Sequence, residues 1–421
     1  TDDGTVHYAQ TTDELLSEHT GRRTLDTAAL LSVLSFEHVC LDRTLIEGVT
    51  RLPWLSTLHG NGEVEFHKAP PHGRKRLSPR ALASVFLDAA AKELEEYARG
   101  KSRIYLLLSG GMDSRVVAAV LHKLTEAGRV NIPVHAVTWG HTECRDVVYA
   151  EGIAKRYGWE WTRLPLDSST YRANFELAAS AFGAEVDPKH MHRIDWFRQV
   201  PPDSLVLAAS YGDSVGRAEV GSRHLSLLRP LKPNDRCAFL RAPFFQDAQA
   251  KLQDDLEQLR QRHGERSEAG WLEVGRQAHY MRRHLYVVMD WVSQFATFKQ
   301  AFVTPEVFRL IWSTDVQDRT DQLYVECLRL LDEELLTMPW ARTGLSYETG
   351  LGAPDKLDRT YHQYGLWLRR EHSDLVESHL FDGTLDALRA IDVKQVRWMF
   401  EEWQLERDAD NTALATHLSA L

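Results

Sequence analysis

The chain has 421 residues, 43% hydrophobic and 26% charged, an ordinary globular balance with room for two or three domains. Its net charge of −10 argues against a broad nucleic-acid surface, and Cys40, Cys144, Cys237 and Cys327 form no Cys-x-x-Cys pair, so zinc knuckles and disulfide frameworks are disfavoured. No window reaches the roughly 18 apolar residues of a membrane span, and residues 1–25 are polar and acidic, unlike a leader, so a cytoplasmic protein with no membrane partner is expected.

Residues 1–25 read as a weakly ordered start. Leu25 to Phe36 carries helical spacing with Thr27 near its N-terminus, and Arg51 to His67 alternates as short strands around the turn Gly60-Asn61-Gly62. A basic linker, Pro70 to Arg80, leads to a helix over Ala81 to Ala98 that ends at Gly100. Strand Ile104 to Leu108 then feeds a helix after Asp113, and Val134 to Trp139 feeds a helix from Asp146 to Tyr157. Trp159 to Leu164 is a further strand, Tyr171 to Phe182 a helix, and Leu205 to Ala209 a buried strand.

This alternation predicts an α/β fold, a doubly wound parallel sheet whose ligands bind beyond the carboxyl ends of the strands. The Ser109 loop, Trp139-Gly140-His141 and Tyr211-Gly212-Asp213 fall at such ends and are expected to share one crevice. After about residue 222 the pattern is helical, without convincing strands. Phe245 to Arg262 reads as a polar surface helix, and Trp271 to Phe298 as a longer aromatic-rich helix buried on one side. His190-Met191-His192 has a metal-like spacing but no acidic or Cys partner is identifiable, so no metal is assigned to it.

The chemistry concentrates at Ser109-Gly110-Gly111-Met112-Asp113-Ser114, where a buried strand stops in a small, hydroxyl-bearing loop. Two glycines let the backbone approach a ligand, and the loop's free N–H groups with the positive end of the new helix suit an anion. Ser109 and Ser114 add hydroxyls, and Asp113 adds a carboxylate able to hold Mg²⁺. No Lys-Ser or Lys-Thr pair closes the loop, so it is not a Walker A motif.

The loop resembles the Ser-Gly-Gly-x-Asp-Ser signature of PP-loop enzymes, which split ATP between its α and β phosphates. The order of elements is similar to the synthetase domain of the asparagine synthetase family, whose relatives include β-lactam synthetases and lasso-peptide cyclases. The resemblance is carried by Ser109 to Ser114, by Val137-Thr138-Trp139-Gly140 with Glu143, Arg145, Asp146 and Ala150, and by Tyr211-Gly212-Asp213. Phe302 to Val307 and Met338-Pro339-Trp340-Ala341-Arg342 extend it, and Arg43 to Pro53 looks like the end of the glutaminase domain that precedes the synthetase. It implies three parts: 1–80 as a short α+β remnant of that domain, 81–222 as the nucleotide-binding α/β core, and 223–421 as a largely helical portion.

The resemblance also implies ATP and Mg²⁺ as cofactors. Asp113 and Asp213 would hold the metal, and Ser109 to Ser114 with Val137 to Gly140, Tyr211 and Gly212 would hold the nucleotide. A carboxylate, on a small molecule or a peptide, would be adenylated and coupled to ammonia or an amine. Thr1 is not expected to serve a glutaminase, since too little chain precedes the loop to build one, so the nitrogen would come free, from a partner protein or from the substrate itself. Two departures stand out. Gly212-Asp213-Ser214-Val215-Gly216-Arg217 lacks the family's second acid in register, leaving Glu219 as a replacement, and Arg342 stands where a late lysine is expected, with Lys356 as the substitute. A nucleobase-modifying PP-loop enzyme and a non-catalytic nucleotide-binding subunit are the alternatives, and a homo-oligomer is left open.

Overall fold

A computed structural model describes residues 6–9, 12–17, 23–215, 238–347, 350 and 354–405. Thr1, Gly216, Arg217, Glu219 and Cys237 lie outside the described residues.

The first elements are α1 (Thr12–Ser17) and α2 (Thr27–Phe36). Asp26, not Thr27, caps α2, its carboxylate accepting from the amides of Ala28 and Ala29. Strands β1 (Ser56–Leu58) and β2 (Val64–Phe66) pair antiparallel across the expected turn. Helix α3 (Pro79–Ala98) begins behind Ser78, whose hydroxyl takes the Ala81 amide, with Pro79 at the position where a missing N–H is harmless. Leu82, Phe86, Ala90 and Leu94 recur every four residues and are fully buried.

The core then alternates as read from the sequence. β3 (Ile104–Leu107), α4 (Met112–Glu126), β4 (Val134–Trp139), α5 (Arg145–Arg156), β5 (Glu160–Leu164), α6 (Ser168–Phe182) and β6 (Leu205–Ala208) follow in turn, then the short α7 (Gly212–Val215). Ile104 sits between Val134 of β4 and Leu205 of β6, and both pairings are parallel. All four residues of β6 are buried, as a strand covered on both faces requires.

The later part departs from the expectation. After α8 (Ala242–His263) and α9 (Glu268–Arg276), the run Trp271 to Phe298 is not one helix: a π-helical stretch, Gln277–Tyr286, leads into α10 (Val287–Val292) and then into strand β7 (Thr297–Gln300). β7 pairs parallel with β6, giving a five-stranded sheet in the order β5-β4-β3-β6-β7. It reads Thr-Phe-Lys-Gln at the sheet's edge with only Gln300 fully buried, so it carries none of the apolar signal of an inner strand.

Helices α11 (Pro305–Ser313), α12 (Asp321–Leu331), α13 (Tyr364–Glu371), α14 (Ser373–Leu380), α15 (Thr384–Ala387) and α16 (Val393–Leu405) complete the described chain. α12 packs on α3 and α4, extending the core around the sheet. A second apolar cluster joins Leu31 and Leu34 of α2 to Leu252, Tyr364, Leu368, Phe400 and Trp403. Among the described residues no helix is long and apolar enough to cross a membrane.

Candidate active site

The strand order reverses at β3, which has β4 on one side and β6 on the other. Loops leaving neighbouring strands in opposite directions open a crevice at such a point. A cavity of about 280 Å³ lies there, lined by Ser109, Asp113 and Ser114 after β3, by Val137, Thr138 and Trp139 of β4, and by Ala208 of β6 with Ser210 and Asp213 after it. The three segments expected to converge do so.

The loop's own geometry corrects one expectation. Three of its amides are committed: Ser109 N–H donates to Ser114 Oγ (3.2 Å), Gly111 N–H to Ser109 Oγ (3.1 Å) and Gly110 N–H to Asp146 Oδ1 (3.0 Å). Gly111 is the N-cap of α4 and brings no side-chain cap, which leaves the anion-favouring end of that helix beside the cavity. Asp113 sits in the first helical turn and lines the cavity. Met112 is fully buried in the core, so its side chain packs and does not face a ligand.

Gly110 is wedged from behind. A Cβ there would come within 2.8 Å of the Tyr149 ring and 2.9 Å of Ala341, so only glycine fits. Its carbonyl accepts from Ala341 N–H (3.2 Å) and from Arg115 Nη2 (3.1 Å). Arg115 is itself fully buried and also donates to the carbonyls of Leu335 (2.7 Å), Met338 (3.0 Å) and Pro339 (2.8 Å). Burial pulls its guanidinium down to about 10. One arginine thus fastens the Met338 to Ala341 stretch beneath the loop.

The two late cations do not join this cavity. Arg342 is exposed, its guanidinium 5.4 Å from the Trp340 ring. Lys356 is also exposed, while its neighbour Asp355 accepts from Arg145 Nε (2.9 Å) and from the Tyr149 hydroxyl. Neither is among the lining residues.

The two acids line the same cavity. A Cβ on Gly212 would fall 2.4 Å from Asp113 Oδ1, so the bare backbone of the second motif lies directly against the Asp113 side chain. That close approach sets Asp113 and Asp213 on one cavity. Their hard oxygen donors suit Mg²⁺, although among the described residues no third His, Cys, Asp or Glu completes a cluster. Tyr211 is not among the lining residues, and its buried hydroxyl donates to the Met281 carbonyl at 3.5 Å. Gly140 likewise stands outside the lining, with its N–H on the Leu164 carbonyl. Thr138 lines the cavity but its hydroxyl is committed, donating to Leu108 O (2.8 Å) and accepting from Trp161 Nε1 (3.2 Å).

Asp146, His192 and Tyr361 are among the lining residues that the sequence-derived set lacks. Asp146 belongs to a stretch that carried the resemblance, but its hold on the Gly110 amide is a tertiary contact; burial raises its carboxyl while that amide opposes the shift. His192 stacks on Trp139 with ring centroids 4.7 Å apart and planes 18° from parallel. Burial, with His362 nearby, pushes its imidazole down to about 3, so it is neutral at ordinary pH. Burial also raises the Tyr361 phenol.

The family model described as asparagine synthase matches residues 82–298, just over half of the chain and all three strand ends. This chain belongs to the asparagine synthase family. Arg342 and Lys356 lie beyond the matched region of this asparagine synthase family protein. Among curated proteins none matches it. Among solved structures, NMN synthetase from Francisella tularensis is similar at 15% identity over 56% of this chain and 94% of that one, with a TM-score of 0.23. Family membership makes the protein an ATP-utilising ligase or synthetase of the PP-loop class.

Proposed function

We propose that the chain adenylates a carboxylate with ATP and passes the acyl group to ammonia or an amine, releasing pyrophosphate and then AMP. The observation that carries this reading is the meeting of the Ser109 to Ser114 loop, Asp113 and Asp213 in one cavity where the strand order reverses. Trp139, stacked on His192, offers a flat wall for adenine, which directs the phosphates towards Ser109, Ser114 and the start of α4. Asp113 and Asp213 would hold Mg²⁺, which supplies positive charge for the departing pyrophosphate.

In the first step a substrate carboxylate oxygen attacks the α-phosphorus and the bond to the bridging oxygen breaks. In the second the amine attacks the acyl carbon, AMP leaves with the bonding electron pair, and the amine gives up a proton. No side chain need act as nucleophile, so positioning and charge compensation set the rate. Arg342 stays a candidate cation for these steps because its neighbour Ala341 is bonded to the loop, and Lys356 because its neighbour Asp355 is tied to α5.

ATP–pyrophosphate exchange against a panel of small acids and peptides tests the proposal. Exchange should appear only with a matching carboxylate, and Asp113→Asn should lower it by about 100-fold or more. Absence of exchange with every acid in the panel, or exchange that Asp113→Asn leaves undiminished, would overturn the ligase reading.

A further inference from the structure

A second and larger cavity, about 740 Å³, shares no lining residue with the first. It lies where the segment from Lys68 to Arg74 crosses the turn between α8 and α9 and the residues ahead of α12.

Its wall holds an uneven set of buried charges. Arg319 is fully buried and forks onto Glu273 at 2.7 and 2.6 Å, and His72 Nε2 lies 2.9 Å from the same carboxylate. Arg266 is held differently: Nη1 donates to Pro70 O and Nη2 to Ala69 O, both at 2.8 Å, and Nη1 lies 2.7 Å from His72 Nδ1. Carbonyls and an imidazole orient a guanidinium without cancelling its charge. Glu273 therefore faces two guanidiniums, and burial pulls Arg266 below its ordinary value in spite of Glu273.

Two donors are also left over. The Nε atoms of Arg266 and Arg319 are buried with no hydrogen-bond partner among the described residues. Buried donors of this kind carry an uncompensated desolvation cost. Lys68 and Arg74 add exposed positive charge to the lining, and the first turn of α9, capped by Ser267, adds the positive end of a helix. Glu265 and Asp315 oppose them. With the Arg319–Glu273 pair set aside, three cations face two acids. One flat wall completes the cavity's edge, His72 lying on Trp312 at 4.2 Å and 24°.

We propose that this cavity is a second ligand site, separate from the nucleotide cavity, that takes the oxyanion group of a small molecule, a phosphate or a carboxylate. An incoming oxyanion supplies the negative charge that the excess of lining cations lacks.

Equilibrium dialysis of the whole chain with labelled inorganic pyrophosphate tests it, with succinate as the competing carboxylate. Lys68→Ala combined with Arg74→Ala should weaken one binding component by about ten-fold, and both side chains are exposed, so the fold should persist, as far-ultraviolet circular dichroism would verify. Glu265→Gln should tighten the same component about two-fold by removing a like charge. Displacement by succinate assigns a carboxylate ligand, and its absence a phosphate. Pyrophosphate binding unchanged in the double variant, or no binding of either anion by the native chain, overturns the proposal. Neither readout depends on catalysis at the first cavity.

Discussion

At the scale of single residues, the site is defined by places where one side chain excludes another. Gly212 is the clearest, because a single methyl there would fall on the Asp113 carboxylate. Gly212→Ala should therefore displace Asp113 and lower ATP–pyrophosphate exchange by about 100-fold, the scale of a roughly 1 Å misplacement. A variant with native exchange would mean that Asp113 does not need its observed position. Asp113 and Asp213 were legible in the sequence because each sits in a short motif at a strand end. His192 and Tyr361 are not, since they reach the cavity from distant segments whose local pattern carries no site signal; the spacing of His192 from His190 says nothing of its stacking on Trp139.

Elements carry a second layer of specification. Strand, loop and helix around Ser109 are legible in the sequence because the apolar run, the glycines and the helical period are all local signals. β7 was missed because a four-residue edge strand with a polar sequence owes its form to β6, a partner about ninety residues earlier in the chain. The docking of Met338 to Ala341 under the loop was equally hidden, since it depends on the buried Arg115 binding four carbonyls. Arg115→Met should leave those acceptors without a donor and lower stability by about 3 kcal/mol or more in urea unfolding. A loss below about 1 kcal/mol would show that the stretch holds its place by packing alone.

Across the whole molecule, buried imidazoles set the acid limit of the fold. His38, His190 and His284 are held well below their ordinary value by burial and neighbouring positive groups, and His192 and His279 are both pushed down to about 3. His284 Nδ1 lies 3.3 Å from His38 Nδ1, and the His190 and His284 rings are 4.0 Å apart. Their folded values lie below the unfolded 6.5, so below that pH the unfolded chain binds protons that the native one refuses. The stability contribution is intact above pH 6.5 and falls as the pH drops towards 3, by about 1.4 kcal/mol per pH unit for each histidine. The raised carboxyls of Glu93 and Asp146 act with the opposite sign. The urea midpoint should drop steeply between pH 6.5 and 5, and His284→Gln should make the slope shallower by about one proton. A midpoint flat over that range would contradict the buried, neutral cluster. The placement of β7 bears on how such a molecule can move. Because the late, mostly helical portion supplies the outermost strand of the sheet, the chain is stitched back into its own nucleotide-binding layer; swinging that portion aside would tear Thr297–Gln300 from Leu205–Ala208. A path into the cavity that leaves this pairing intact runs through the cavity's mouth, past loops and side chains.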